Sequence, residues 1–455
     1  MLEQLEKSVR WLKDRLSALV ETTESNSVKT DGSRVTIIPR DQHCISRKDI
    51  SEPAKKVLSR LNNAGFEAYL VGGGVRDLLL QGHPKDFDIG TNATPEEVHE
   101  LFRNSRLIGR RFRIVHVMFG REVIEVTTFR GNAGNESPED DDPRQTSEHG
   151  LLLSDNIYGT QEEDALRRDF TVNALYYCIR DFSVHDFTGG MDDLRNRTLR
   201  LIGDPETRYR EDPVRMLRAV RFAAKLGFSI EQSTAGPIHT LADLLRHIPP
   251  ARLFEEVLKL FSAGYAEQSY HLLREYELFA PLFPETAAAL DAGENDEIIL
   301  AALANTDRRI KEGKPVTPYF LYGALLWPAL KLEWERRENE GEPTYQALQL
   351  AASDIVARQV QATSVPRRFS VPMKEVWDLQ ARLPKRRGKR AETLLGHPRF
   401  RAAYDFLLVR EAAGEQTDGL GQWWTEYQNL DEAGRRAMVN ALGGPAPRKR
   451  RRRSS

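Results

Sequence analysis

Cysteine is nearly absent from this chain. Cys44 and Cys178 are the only two in 455 residues, far apart and without metal-ligand spacing. That excludes a disulfide scaffold and a cysteine-based zinc centre, and it suits a reducing cytoplasm. Long apolar runs are missing as well. Among the first twenty residues, Leu2, Leu5, Val9, Leu12, Leu16 and Leu19 recur at helical spacing with charges between them. This pattern predicts an amphipathic helix over Met1 to Val20 rather than a signal peptide or a membrane span. Histidine is sparse, 10 in all, so the adjacent His185-Asp186 lacks the further helical histidines of a metal phosphohydrolase and reads as a turn. Net charge is only -1 at pH 7. Neither G-x-G-x-x-G nor a Gly-Lys-Ser/Thr loop occurs, which excludes the two commonest nucleotide-binding fingerprints.

What the chain does have is length and segregated charge. Its 455 residues exceed what one hydrophobic core organises, and 40% hydrophobic with 29% charged residues fits a globular, strongly charged protein. Acid collects in Glu136 to Asp142, inside a polar stretch from Gly131 to Gly150 that predicts a surface loop. Base collects in Arg448, Lys449, Arg450, Arg451, Arg452 and Arg453, within a Gly, Pro and Arg tail expected to be disordered and to contact RNA phosphates. The pattern predicts a helix and linker over 1–34, a mixed α/β head over 35–191, a helical neck over 192–265, a helical body over 266–413, and a last helix with the basic tail over 414–455. The fold class is therefore α+β.

Chemistry concentrates in the head. Glu67 to Val71 reads as a strand that stops at Gly72-Gly73-Gly74, and Val75 to Leu80 as the helix that follows. Such a turn lets backbone N–H groups approach phosphate, with Arg76 placed to reach its oxygens, although a ligand-free junction has the same pattern. Asp86-Phe87-Asp88-Ile89 alternates, so a strand would put both carboxylates on one face and Phe87 and Ile89 in the core. Two carboxylates so placed suit two Mg²⁺ ions about 3.5–4 Å apart, an arrangement for in-line displacement at phosphorus. Ile114 to Phe119 and Val123 to Phe129 predict a hairpin across Gly120-Arg121-Glu122 that carries Glu125 opposite its buried neighbours. Glu125 and Asp169 compete as a third carboxylate. In the neck, Asp212-Pro213 predicts a helix start and Gly227 its end. Arg215, Arg218, Arg221 and Lys225 line one face of that helix, either for a triphosphate or RNA backbone or as a solvated face.

These residues resemble the nucleotidyltransferase superfamily that includes DNA polymerase beta, and within it the branch shared by bacterial poly(A) polymerases and CCA-adding enzymes. Gly72-Gly73-Gly74-Val75-Arg76-Asp77 with Asp86-Phe87-Asp88 is similar to that branch's catalytic motif. Arg167 to Ala174, including Arg168, Asp169 and Asn173, is similar to its hinge motif. Glu211-Asp212-Pro213-Val214-Arg215 is similar to its base-recognition motif, in which the Asp and Arg meet the base edge. Leu107 to Val117, Arg40-Asp41-Gln42-His43 and Ile45-Ser46-Arg47 resemble the poly(A) polymerase side. The resemblance implies AMP transfer from ATP to RNA 3′ ends with two Mg²⁺ ions, in a cytoplasmic monomer that meets RNA-decay proteins. It leaves CCA addition to tRNA, or an inactive RNA-binding adaptor, as alternatives.

Overall fold

The structure, a computed structural model, describes residues 35–109, 113–131 and 157–443. The predicted N-terminal helix and linker, nearly all of the acidic stretch and the arginine tail lie outside the described residues. The chain divides into two compact units between Gly203 and Asp204.

The first unit is built on one mixed sheet of short strands: β1 (Thr36–Ile38), β2 (Ala68–Val71), β3 (Asp88–Thr91), β4 (Ser105–Ile108), β5 (Ile114–Phe119), β6 (Glu122–Thr128), β7 (Leu175–Cys178) and β8 (Val184–Asp186). Their order is β1-β8-β7-β2-β3-β6-β5-β4. Every pairing is antiparallel except β3 with β6. A parallel pair needs a crossover. Here it holds α3, defined below, and the β4–β5 edge. Helices flank the strands, among them α1 (Glu52–Asn63), α2 (Gly73–Leu79), α3 (Pro95–Leu101) and α4 (Gln161–Leu166). Ser51 caps α1 by accepting from the Ala54 N–H, and Thr94 with Glu97 forms a complete capping box on α3. β2 is buried on both faces, and Tyr69 and Val71 join Phe129, Ala165, Tyr176 and Cys178 in the core.

The predicted hairpin is present, turning at Gly120 with φ +64°. His185-Asp186, read as a turn from sequence, instead ends strand β8, where His185 pairs with Ile37. The turn comes immediately after. It is organised by the buried Asp186 carboxylate, which accepts from the N–H groups of Thr188, Gly189, Gly190 and Met191. The acidic partner in the dipeptide thus serves the backbone, which sequence spacing alone does not reveal.

The second unit is almost wholly helical among the described residues. It opens with α5 (Pro205–Glu211) and α6 (Val214–Leu226), then α7 (Pro250–Phe261), and ends in α8 (Arg367–Arg382), α9 (Phe400–Ala412), α10 (Leu420–Asn429) and α11 (Glu432–Ala441). Asp212 is extended, at φ −149° and ψ 93°. Pro213 already has helical angles, and the Asp212 carboxylate accepts from the Val214 N–H. Gly227, at φ +65°, stops α6 in the left-handed region where a side chain is disfavoured. Trp377 and Trp424 are fully buried, and each donates its indole N–H to a backbone carbonyl, of Gly323 and Leu383 respectively.

Candidate active site

The glycine turn and the aspartates meet through strand register. Val71, the last residue of β2, pairs with Asp88, the first residue of β3. Gly72 follows with φ +72° and ψ −138°, a conformation that favours glycine. A Cβ on Gly74 would stand 3.4 Å from the Asp86 carbonyl oxygen, so the turn lies directly on the aspartate segment. Phe87 and Ile89 are buried; Asp88 is half-buried at the first position of the inner strand β3, and the exposed Asp86 precedes that strand instead of sharing it as alternation predicts.

Glu125 joins them from the other side. The parallel pairing sets Asp88 opposite Glu125, and adjacent strands are about 4.8 Å apart. Ile124 and Val126 are buried, whereas the Glu125 side chain is 48% exposed. His116, its cross-strand neighbour on β5, places Nε2 3.3 Å from the Glu125 carboxylate. The Asp88 carboxyl is pushed up to about 6. Burial is the main cause, Glu125 and Asp86 add to it, and Arg168 opposes it. The Asp88 carboxylate is thus half-desolvated and within the electrostatic reach of two others.

Asp169, the other candidate for a third carboxylate, bonds within its own segment. Its carboxylate accepts from the Phe170 N–H and the Asn173 side-chain amide. Asn173 in turn accepts from Arg76 Nη1 at 2.6 Å, and the same guanidinium donates to Asp77 at 2.8 and 2.6 Å. Arg76 is 2% exposed. The outward reach expected of it from sequence is therefore not what the structure has. With two carbonyl or carboxylate partners inside, burial of the guanidinium is satisfied and it braces the glycine turn against the hinge segment.

Arg168 is the cation that faces the carboxylates. A Cβ on Gly72 would come within 3.3 Å of its Nη1, and its charge is felt at Asp88. Two residues that sequence reasoning missed hold it: Asp164 accepts from Nη2 at 3.0 Å, and the Tyr176 hydroxyl accepts from Nε at 3.0 Å while donating to Asp164 at 2.7 Å. Burial alone would lower the Arg168 pKa, but these partners raise it above the usual guanidinium value. The i,i+4 spacing of Asp164 and Arg168 was the available signal.

The donor set fits Mg²⁺. Among the described residues no group of three or more His, Cys, Asp or Glu forms a preformed metal cage. Mg²⁺ does not require one, since it takes one or two carboxylates and completes its octahedron with water and substrate phosphates. These are hard oxygen donors, and the Asp88 carboxyl, raised by burial and then by its acidic neighbours, is one that a bound cation would favour in its charged form.

In the second unit, the Asp212 carboxylate pairs with Arg252 at 2.7 Å, and Arg215 pairs with Glu211 at 2.9 Å while donating to the Arg208 carbonyl at 2.7 Å. Arg218 and Arg221 lie against the Phe222 ring, at 5.3 and 4.8 Å. All four cations of the α6 stripe are half-buried, with Val214, Leu217, Val220 and Ala224 buried behind them. Leu107, Ile108 and Ile114 to Val117 fall on β4 and β5, while Arg110 to Phe112 lie outside the described residues.

Comparison with known proteins follows this geometry. Residues 68–200 match the family described as "Poly A polymerase head domain", residues 227–290 "Probable RNA and SrmB-binding site of polymerase A", and residues 340–455 "Polymerase A arginine-rich C-terminus". A Poly(A) polymerase I of Salmonella typhi is 54% identical over 425 residues, covering 92% of this chain and 91% of that one. A CCA-adding enzyme of Lactobacillus helveticus is 40% identical over 230 residues, covering 50% of this chain and 55% of its own. Among solved structures, the Thermotoga maritima CCA-adding enzyme complexed with tRNA aligns over 91% of both chains with a TM-score of 0.59 and 18% identity, a likeness of fold. The chain belongs to the poly(A) polymerase family.

Proposed function

We infer that this protein is a template-independent polynucleotide adenylyltransferase, adding AMP from ATP to RNA 3′ ends. The RNA 3′-hydroxyl gives up its proton to solvent as its oxygen forms a bond to the α-phosphorus, the bond from that phosphorus to the bridging oxygen breaks with its electron pair on the oxygen, and pyrophosphate leaves. The observation that carries this reading is the register that brings Asp88, Glu125 and the glycine turn together in a chain whose full-length likeness is to a poly(A) polymerase.

In this reading Asp86 and Asp88 hold two Mg²⁺ ions, with Glu125 beside them. Once bound, the ions supply a lowered pKa for the attacking hydroxyl and charge neutralisation at the phosphates. Backbone N–H groups at Gly72 and Gly73 and the guanidinium of Arg168 orient the triphosphate. Arg76, Asp77, Asp169 and Asn173 keep the turn rigid, so that little reorganisation is left for the reaction itself. Asp212 and Arg215 offer an acceptor and a donor set to the adenine edge, with Arg252 and Glu211 fixing their orientation. Arg218 and Arg221 extend that basic face, and the tail Arg448 to Arg453 adds sequence-blind phosphate contacts.

Incubation with oligo(A), or with tRNA lacking its 3′ end, against each labelled nucleotide tests the reading. Long ATP-only extension of oligo(A) is expected. CTP incorporation confined to tRNA would replace this reading with CCA addition.

A further inference from the structure

The second unit contains a cationic cavity that the transfer chemistry does not use. It has a volume of about 810 Å³ and lies after α8, walled by Arg382, Lys385, Arg387, Lys389, Arg390 and Thr393, with no acidic residue in its lining. Several arginines elsewhere in this unit are matched by carboxylates, among them Arg337 with Asp354 at 2.5 Å, Arg410 with Glu415 at 2.7 Å and Arg336 with Glu333 at 2.8 Å. In the cavity only Arg382 is matched, to Asp378 at 3.2 Å. Lys385, Arg387, Lys389 and Arg390 are all exposed and make no ion pair with a carboxylate among the described residues. Like charges collected around one hollow repel one another, and an anionic ligand relieves that repulsion.

An aromatic stack stands beside this cavity. Arg386 lies over the Trp423 ring at 5.1 Å, with its Nε buried and lacking a hydrogen-bond partner. Trp423 stacks on Tyr427 with ring centroids 4.7 Å apart and planes within 14°. On the other side of Gly388 and Lys389 a second cavity of about 630 Å³ is lined by Tyr427 and Val439 and by two ion pairs, Arg435 with Glu392 and Arg436 with Glu432, so its own charges are balanced. Gly388, at φ +63°, separates the two without a side chain. Cations that follow a backbone, next to aromatic and aliphatic surface, are the elements that hold single-stranded nucleic acid without reading its sequence.

We propose that this pair of cavities is a binding site for single-stranded RNA upstream of the 3′ end, with phosphates on Lys385, Arg387, Lys389 and Arg390. The proposal rests on the adenylyltransferase reading and adds a grip on the RNA away from the reacting hydroxyl. It accounts for how an enzyme without a template would retain a long substrate between additions.

The test compares the full-length parent with the variant Lys385→Ala/Arg387→Ala/Lys389→Ala/Arg390→Ala, both keeping the arginine tail. Fluorescence anisotropy measures binding of oligo(A) of about twenty and about three nucleotides across 50 to 200 mM salt. At a slope of about 0.7 per phosphate contact, four lost contacts make the parent lose about 50-fold more affinity than the variant over that range. The variant is expected to raise KM for the longer RNA about tenfold or more while leaving kcat, and KM for the shorter one, unchanged. Arg387→Lys alone should retain the parent's salt slope. An unchanged slope in the quadruple variant would overturn the proposal, as would equal losses for both lengths, an equal effect on duplex RNA, or loss of a protein companion with RNA binding intact. A parent that binds RNA but incorporates no AMP would instead refute the enzymatic reading, leaving the salt comparison still measurable.

Discussion

Replacing Asp88 with asparagine should stabilise the metal-free protein while abolishing transfer. An ordinary aspartate carboxyl titrates at 3.8, and burial beside Glu125 and Asp86 raises this one to about 6. The folded state therefore binds the proton more tightly than the unfolded chain does. Below pH 3.8 the group is protonated in both states and contributes nothing to the difference. Between 3.8 and 6 its contribution turns unfavourable, and above 6 the penalty is fully present, about 3 kcal/mol at 1.36 kcal/mol per tenfold change. Asparagine removes that penalty but leaves a half-buried amide that costs about 1 kcal/mol. The net expectation in EDTA at pH 8 is about 2 kcal/mol of added stability, or a shift of about 1 M in urea midpoint. Pulse-labelling mass spectrometry of the β3 and β6 peptides during a urea titration reports on the first unit alone. The gain should shrink as pH falls toward 4. Mg²⁺ with ATP should stabilise the parent by mass action and the variant much less. A variant less stable than the parent at pH 8, or a gain independent of pH, would refute the argument that crowded carboxylates store this energy.

Other perturbations probe the supports of the site. Tyr176→Phe removes the hydroxyl that links Asp164 and Arg168; it should cost about 1–2 kcal/mol in urea denaturation and lower kcat/KM for ATP through the displaced guanidinium. Asp186→Ala strips four backbone N–H groups of their buried acceptor, and a loss of about 3 kcal/mol or more is expected in the same assay. Gly90→Ala would put a Cβ 2.9 Å from the Phe129 ring and 3.1 Å from Val71. That overpacking should destabilise the sheet by about 1–3 kcal/mol, seen as a lower urea midpoint with unaltered KM for RNA.

Features set by neighbouring residues were legible in the sequence. Three glycines after an apolar run end β2, alternation around Phe87 and Ile89 assigns their burial, and Gly120 and Gly227 mark a hairpin and a helix end by conformations that favour glycine. Glu125 was legible only in part. Alternation gave its exposed face, but its place opposite Asp88 depended on which strands pair, and a parallel pair forms across an intervening helix and hairpin. No local pattern encodes that.

The two arginines of the site make the same point about charge. Arg76 follows the glycine turn and Arg168 lies far along the chain, so proximity in sequence favoured Arg76 as the phosphate ligand. Arg76 is nevertheless buried, and a guanidinium is buried only where acceptors surround it. Asp77 and Asn173 surround Arg76. Arg168 is held from behind by Asp164 and Tyr176, yet its charge reaches Asp88. The surroundings of each cation are thus set by the acceptors it meets, and those acceptors come largely from tertiary contacts. The unmatched cations at Lys385, Arg387, Lys389 and Arg390 follow the same logic in reverse: with no carboxylate folded against them, their charge is left for a ligand to meet.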